Sequence, residues 1–365
     1  MDWPGCSPAR NKSHYQTKRS KARQRGEGLL RKMMVLLAAV MAMVLAAAAP
    51  ALAKSGSAHN SGNLVDIGGG REVYMECRGK GRPTVVLISG YGGSHEDWTR
   101  VFDPGGEIKP SDSAVFPQVG KFTRVCAYDR PGTLRSDGTL SPSTPVRHPT
   151  TARDGAADLH ALLRASKQKG PYVLVAHSWG GLIARQYASE HPDEVSGLVL
   201  VDPASEFLQD TLTPAQWDAM VRLGKHPREP EGIEAVDYGS SAPVLRAAPP
   251  VRGIPSVVLT SDECFELLPD AGGAERQCQA WRESQDLLAA HLDAEHITRT
   301  DSGHVIQAEN PELVIDSVRE VIDVAVVGGT TLGDTGGSPM VRTVTLAAGL
   351  ALLVSSFAVM RFMVR

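Results

Sequence analysis

The stretch Tyr172–Ala188, YVLVAHSWGGLIARQYA, constrains the fold more than any other part of the chain. An apolar run leads into His177-Ser178-Trp179-Gly180-Gly181, and a helical pattern follows at once. A buried strand that passes directly into a helix needs a tight turn, and small residues are what a strained turn tolerates. An ordinary turn could use many residue types here. A serine set among small residues predicts instead a hydroxyl held out on a strand tip. The question is whether the rest of the chain supplies partners for it.

Between residues 63 and 326 short β-rich runs alternate with helical patterns, and no internal repeat is visible. NLVDIG and REVYMECRG, joined by Gly68-Gly69-Gly70, predict a hairpin. TVVLISG (Thr84–Gly90), TRVCAYD (Thr123–Asp129), YVLVAHS, SGLVLVDP and PSVVLTSD predict buried strands, with HITRTDSGH as an eighth. Near-continuous Val/Leu/Ile strands alternating with helices predict a mostly parallel sheet covered on both faces. The longest strand-free stretch after Asp202 runs to about Val251 and holds the helical TPAQWDAMVRLG. An insertion of that kind predicts a cap, about residues 204–250, over a pocket.

Around Ser178 the pattern is Ala176-His177-Ser178-Trp179-Gly180, the nucleophile-elbow spacing G-x-S-x-G with alanine for the first glycine. A serine hydroxyl needs a base to become a nucleophile. His304, in a loop opened by Gly303 after the last strand, is the expected base. His177 is expected to face into the turn, and His160, His191, His226 and His291 fall on helix or cap patterns. The third member must be a carboxylate that orients the imidazole and stabilises its charged form. Asp202 and Asp262 each end a buried strand and both remain open, with Glu263 and Glu266 as weaker neighbours. An aspartate in such a position can also simply cap the next segment. The Trp179 and Tyr91 amides are the expected oxyanion donors, Tyr91 lying in the glycine-lined Ser89–Gly93. Trp179 and aromatics of the cap point to an apolar acyl or leaving-group site.

Taken in order, these motifs resemble the α/β-hydrolase fold family of the abhydrolase-1 type, and within it a bacterial subgroup. The pieces are Gly81–Gly90, Cys126–Asp137 (C-x-Y-D-R-x-G-x-x-x-S-D) and Gly170–Gly181, then GLVLVDPA, VVLT, WRESQDLLA and SGHVIQAENPELVIDSVREV. They cover residues 80–322. The resemblance implies an eight-stranded, mostly parallel sheet with helices on both faces, a small helical cap after strand 6 and a Ser-His-acid triad. It favours Asp202 as the acid, with Asp262 as the alternative. The usual strand order of that fold would set Cys77 beside Cys126, and Cys264 and Cys278 would flank one connection. Both pairings are open as disulfides, Cys264–Cys278 being favoured, and buried free thiols are the alternative for Cys77 and Cys126.

The two ends carry different signals. Residues 10–32, basic with one acid, Glu27, precede the apolar run Met33–Pro50 and the A-x-A of Ala51–Ala53. Residues 1–53 therefore predict a secretory signal peptide, with a retained signal anchor or a start further downstream as the alternatives. Residues 342–361 predict a transmembrane helix with a short basic tail, 362–365, after a Gly/Thr-rich linker at 327–341. The hydrolase domain would span 54–326 and lie outside the cytoplasm, anchored to the membrane. A net charge of −3 gives no reason to expect a nucleic-acid partner, and no metal or cofactor motif occurs. The expected activity is cleavage of a small-molecule ester, thioester or amide through an acyl-enzyme. Peptidase, lyase or perhydrolase chemistry and a non-catalytic surface-binding role are the alternatives.

Overall fold

A computed structural model describes residues 62–332, apart from 226–230, 266 and 269–272. Its frame is an eight-stranded sheet in the order β1-β2-β6-β3-β7-β8-β9-β10. β1 (Asn63–Gly68), β2 (Arg71–Arg78) and β6 (Val125–Asp129) pair antiparallel. From β6 onward β3 (Thr84–Ile88), β7 (Tyr172–His177), β8 (Val195–Val201), β9 (Ser256–Leu259) and β10 (Glu295–Ile297) run parallel.

The period-2 rule explains why these strands are apolar throughout. Val86, Ile88, Leu174, Ala176, Leu198 and Leu200 pack on one face against α2 (Ala152–Ala165) and α3 (Trp179–Glu190). Their alternates Val85, Leu87, Val173, Val175, Val199 and Val201 pack on the other face, against α1 (Val115–Val119) and α9 (Pro311–Leu332). Two cores on one sheet leave the strand ends free to carry loops.

Three helices, α4 (Leu208–Thr211), α5 (Pro214–Lys225) and α6 (Tyr238–Ala247), occupy the connection from β8 to β9. The next connection holds α7 (Ala274–Leu292), and α8 (Ile306–Glu309) precedes α9. The eighth strand is shorter than its sequence signal. Only Glu295–Ile297 pairs, and Thr298 to His304 form a loop. A small hairpin, β4 (Arg100–Phe102) with β5 (Ile108–Pro110), has no counterpart in the sequence reading. The last helix continues to Leu332, into the stretch expected to be a linker from 327.

Cys77 bonds to Cys126 across β2 and β6, and Cys264 bonds to Cys278. Among the described residues no helix is long and apolar enough to cross a membrane. The expected signal peptide at 1–53, helix at 342–361 and tail at 362–365 lie outside those residues.

Candidate active site

Ser178 sits at the junction of β7 and α3 with φ 50° and ψ −121°, in the left-handed half of backbone space that a non-glycine residue seldom adopts. Its backbone is held there by three hydrogen bonds. The Ser178 N–H donates to the Val201 carbonyl, and its own carbonyl accepts from Gly181 and Ala204. Gly180 is required by proximity, because a Cβ there would stand 2.5 Å from the Ile88 oxygen. The strain is thus imposed by the packed ends of β3, β7 and β8, and it lifts the hydroxyl out of the sheet.

His304 comes to that hydroxyl from the loop after β10. Its Nε2 is 3.1 Å from Ser178 Oγ, and its Nδ1 is 2.6 Å from Asp202 Oδ2. Asp202 follows β8 with φ 40° and has no exposed surface. Its second oxygen accepts from the Ser261 N–H at 3.0 Å and from Gln285 Nε2 at 2.8 Å. Burial alone would raise this carboxyl. The hydrogen bond and charge of His304, with the Ser261 and Gln285 donors, outweigh burial and hold it below the usual range. A carboxylate on Nδ1 fixes the tautomer that leaves Nε2 lone-paired toward the serine.

Asp262, the alternative acid, makes no such contact. Its carboxylate accepts from the Ser302 and Asp301 N–H groups and from Thr300 Oγ1. It therefore braces the loop that carries His304 and does not meet the ring. Glu263 donates its N–H to the Ser302 carbonyl, and Glu266 lies outside the described residues. His177 is buried, and its Nε2 donates to the His304 carbonyl at 2.8 Å. Burial pushes its pKa down to about 3, so it is neutral and leaves Nδ1 as an acceptor. Phe265 stacks on the His304 ring with centroids 4.4 Å apart, and Trp281 meets that ring edge-on.

Gly90 and Tyr91 line the same cavity as Ser178 and His304. A Cβ on Gly90 would come 3.1 Å from Ser178 Cβ, so only glycine lets this loop approach so closely. Trp179 is the first residue of α3, where a helix supplies no acceptor for the N–H. The cavity measures about 560 Å³ and is walled by Leu134, Met220, Leu223, Tyr238 and Leu267. Tyr238 lines it while the Trp179 ring stays buried, edge-on to Tyr238 at 4.8 Å. Asp97 also faces the cavity, where burial pushes its carboxyl up to about 7.

Residues 83–226 match a family model described as the alpha/beta hydrolase fold. The chain has the α/β-hydrolase fold. That match takes in Ser178 and Asp202 and stops before Asp262 and His304. An esterase from Thermogutta terrifontis, solved with malate bound, superposes with a TM-score of 0.50 at 18% identity, over 72% of this chain and 97% of that one. At that identity the likeness speaks for the fold alone. The uncharacterized protein YqjL of Bacillus subtilis is 27% identical over 247 residues, 67% of this chain and 85% of that protein. A 1-acylglycerol-3-phosphate O-acyltransferase of Arabidopsis thaliana is 28% identical over 138 residues. The similarity covers 38% of this chain and only 29% of that relative.

Within this fold three features of the site escaped the sequence reading. Gln285 lies in WRESQDLLA, on the buried face of α7 with Gln277, Trp281 and Leu288. A polar residue in an apolar helical stripe was the available signal. Phe265 had no local signal. Arg130 stood in a quoted motif without a role, and its partner Glu234 is 104 residues away.

Proposed function

We propose that the chain is a serine hydrolase that cleaves a carboxylic ester through an acyl-enzyme. The observation that carries this reading is the unbroken hydrogen-bonded line Ser178 Oγ, His304, Asp202 at the wall of an apolar cavity. Ser178 Oγ attacks the ester carbonyl carbon as His304 Nε2 takes its proton. Asp202 holds the Nδ1–H tautomer and stabilises the imidazolium so formed. The Tyr91 and Trp179 amides receive the charge that develops on the carbonyl oxygen. As the tetrahedral adduct collapses, the carbon–oxygen bond to the alkoxide breaks and His304 returns the proton to it. Water then repeats the sequence on the acyl-enzyme and releases the acid.

The apolar walls favour a substrate with an apolar acyl or alcohol part. Two disulfides within the domain support an oxidising, extracytoplasmic setting. Such a setting accords with the signal peptide and membrane anchor expected from the two ends. Labelling of the purified full chain with a fluorophosphonate tests the reading, with Ser178→Ala as the control. Wild type is expected to take up one label per chain and Ser178→Ala none. Absence of label on a folded wild type sinks the proposal.

A further inference from the structure

Arg130 takes no part in the line from Ser178 to Asp202, yet its buried guanidinium is committed to two neighbouring segments. Nε donates to Glu234 Oε1 at 2.6 Å, and Nη2 reaches Glu234 Oε2 at 2.9 Å. Nη1 donates to the Ser89 carbonyl at 2.8 Å, and Nη2 to the Gly90 carbonyl at 2.6 Å. Glu234 Oε2 also accepts the Gly92 N–H at 2.7 Å. Glu234 itself belongs to the cap connection between α5 and α6, and its N–H is tied to the Gly132 carbonyl at 2.7 Å. A buried ion pair is weak evidence of stabilisation, because desolvation offsets most of the attraction. What this pair orients is the better explanation of it.

The Gly90–Tyr91 peptide is one rigid plane, with its carbonyl and its N–H on opposite sides. Fixing the Gly90 carbonyl on Arg130 therefore turns the Tyr91 N–H away from Arg130. A flip of this peptide would exchange donor for carbonyl oxygen and set one negative end against another. Glycine offers little resistance to such a flip by itself, and no larger residue fits at position 90. Within the loop the Gly93 N–H donates to the Gly90 carbonyl at 3.1 Å, and the shorter, charged bond from Arg130 adds a restraint from outside it.

We infer that Arg130 and Glu234 are a positioning pair that holds the Gly90–Tyr91 peptide with its N–H as oxyanion donor, so that the cap controls the oxyanion site through Glu234. The inference rests on the serine-hydrolase reading and adds regulation to that same site. Displacement of the 232–236 segment of the cap releases Gly92 directly and frees Arg130 from its counter-ion. Cap position and oxyanion stabilisation are then coupled without any contact between Glu234 and the reacting atoms.

Three single variants of the full chain test this: Arg130→Lys, Glu234→Gln and Glu234→Asp. Each is assayed for kcat and KM on a short-chain p-nitrophenyl ester, and for inhibition by an aryl boronic acid that forms a tetrahedral adduct on serine. Rates are referred to sites titrated to completion with a fluorophosphonate, so unfolded protein does not enter. Arg130→Lys and Glu234→Gln are expected to lose about 100-fold in kcat, the loss typical of one oxyanion donor. KM should stay within about twofold, since ground-state binding is untouched. The boronate inhibition constant should rise in step with the loss of kcat. Glu234→Asp, which keeps the charge and shortens the reach, should fall between these variants and wild type. A purely structural pair would lower the melting temperature and the number of titratable sites. If kcat per site and boronate affinity then stay at wild-type values, the proposal is overturned. A wild type that neither hydrolyses the ester nor takes the label is a separate result, which removes the serine-hydrolase reading and this inference with it.

Discussion

Asp202 and Asp262 stand at the ends of neighbouring parallel strands, with Val201 in register with Leu259 just before them. As sequence they are near equivalents, each an aspartate closing a Val/Leu run. In the folded chain they serve the same loop in different ways. Asp202 is buried and meets the ring of His304. Asp262 is exposed and holds the backbone N–H groups of Asp301 and Ser302, together with Thr300 Oγ1. One carboxylate aims the imidazole and the other shapes the loop that delivers it. The difference arises from where the chain returns after β10, which neither strand encodes locally.

The largest effect that separates the two is on turnover. Asp202→Asn keeps the volume but can present an amide N–H to Nδ1, which favours the wrong tautomer. A loss of about 10⁴-fold in kcat is expected, the scale seen when a triad acid is amidated elsewhere. Fluorophosphonate labelling should slow with it, because both reactions need the same base. Equal and small losses for Asp202→Asn and Asp262→Asn would break the comparison and place the orienting carboxylate elsewhere.

How much of this was legible beforehand depended on how local each signal was. The elbow at Ser178 is written in consecutive residues, since a strand, small flanking residues and a helix all lie within Tyr172–Ala188. His304 was legible from its loop, opened by Gly303 after the last strand. The central strands were legible because burial on both faces leaves unbroken β-branched runs, whereas β4 and β5 are three residues each and largely exposed. The choice between Asp202 and Asp262 was not legible from the residues, because it is made by a third segment, Thr300–Ser302. Arg130 was visible as part of a motif, but its role needs Glu234 from the cap, and no periodicity links such distant positions. Gln285 shows the intermediate case. Its break in an apolar stripe marks a buried polar group, while its acceptor, Asp202, can be found only in three dimensions.

Asp262→Asn should act more weakly and through geometry. The amide oxygen can still accept from Ser302 or Asp301, so the loop keeps part of its bracing. A loss of up to about tenfold in kcat is expected, well short of the tautomer effect. The melting temperature should fall by a few degrees, because the charged acceptor binds backbone N–H groups more strongly than an amide does. Combining Asp202→Asn with Asp262→Asn sharpens the point. If the two act on different aspects of His304, the double variant loses about the product of the single losses. A double variant no worse than Asp202→Asn alone would mean that Asp262 acts only through the orienting carboxylate.

The smallest effect is the pH dependence of stability, where the sign can be worked out. The Ser302 N–H holds the Asp262 carboxyl below the usual carboxylate range, against a small effect of burial and with the Asp301 N–H assisting. A carboxyl depressed in the folded state stabilises the fold above its unfolded value, about pH 4, and that contribution disappears as pH falls through the folded value. Asp202 is depressed likewise and contributes with the same sign. Asp97, raised to about 7, adds stability as pH falls through 7, and His177, lowered to about 3, removes it as pH falls below its unfolded value. The quantity to read is therefore the gap between wild type and Asp262→Asn, from which both drop out. In Asp262→Asn the share due to residue 262 is missing at every pH. The gap between the two proteins should be widest near neutrality and narrow as pH falls below about 4, as the wild-type carboxylate takes up its proton. Thermal unfolding of both proteins across that range checks the expectation. A gap that stays constant down to acid pH would show that the charge of Asp262 does not hold the loop, leaving only the shape of its side chain.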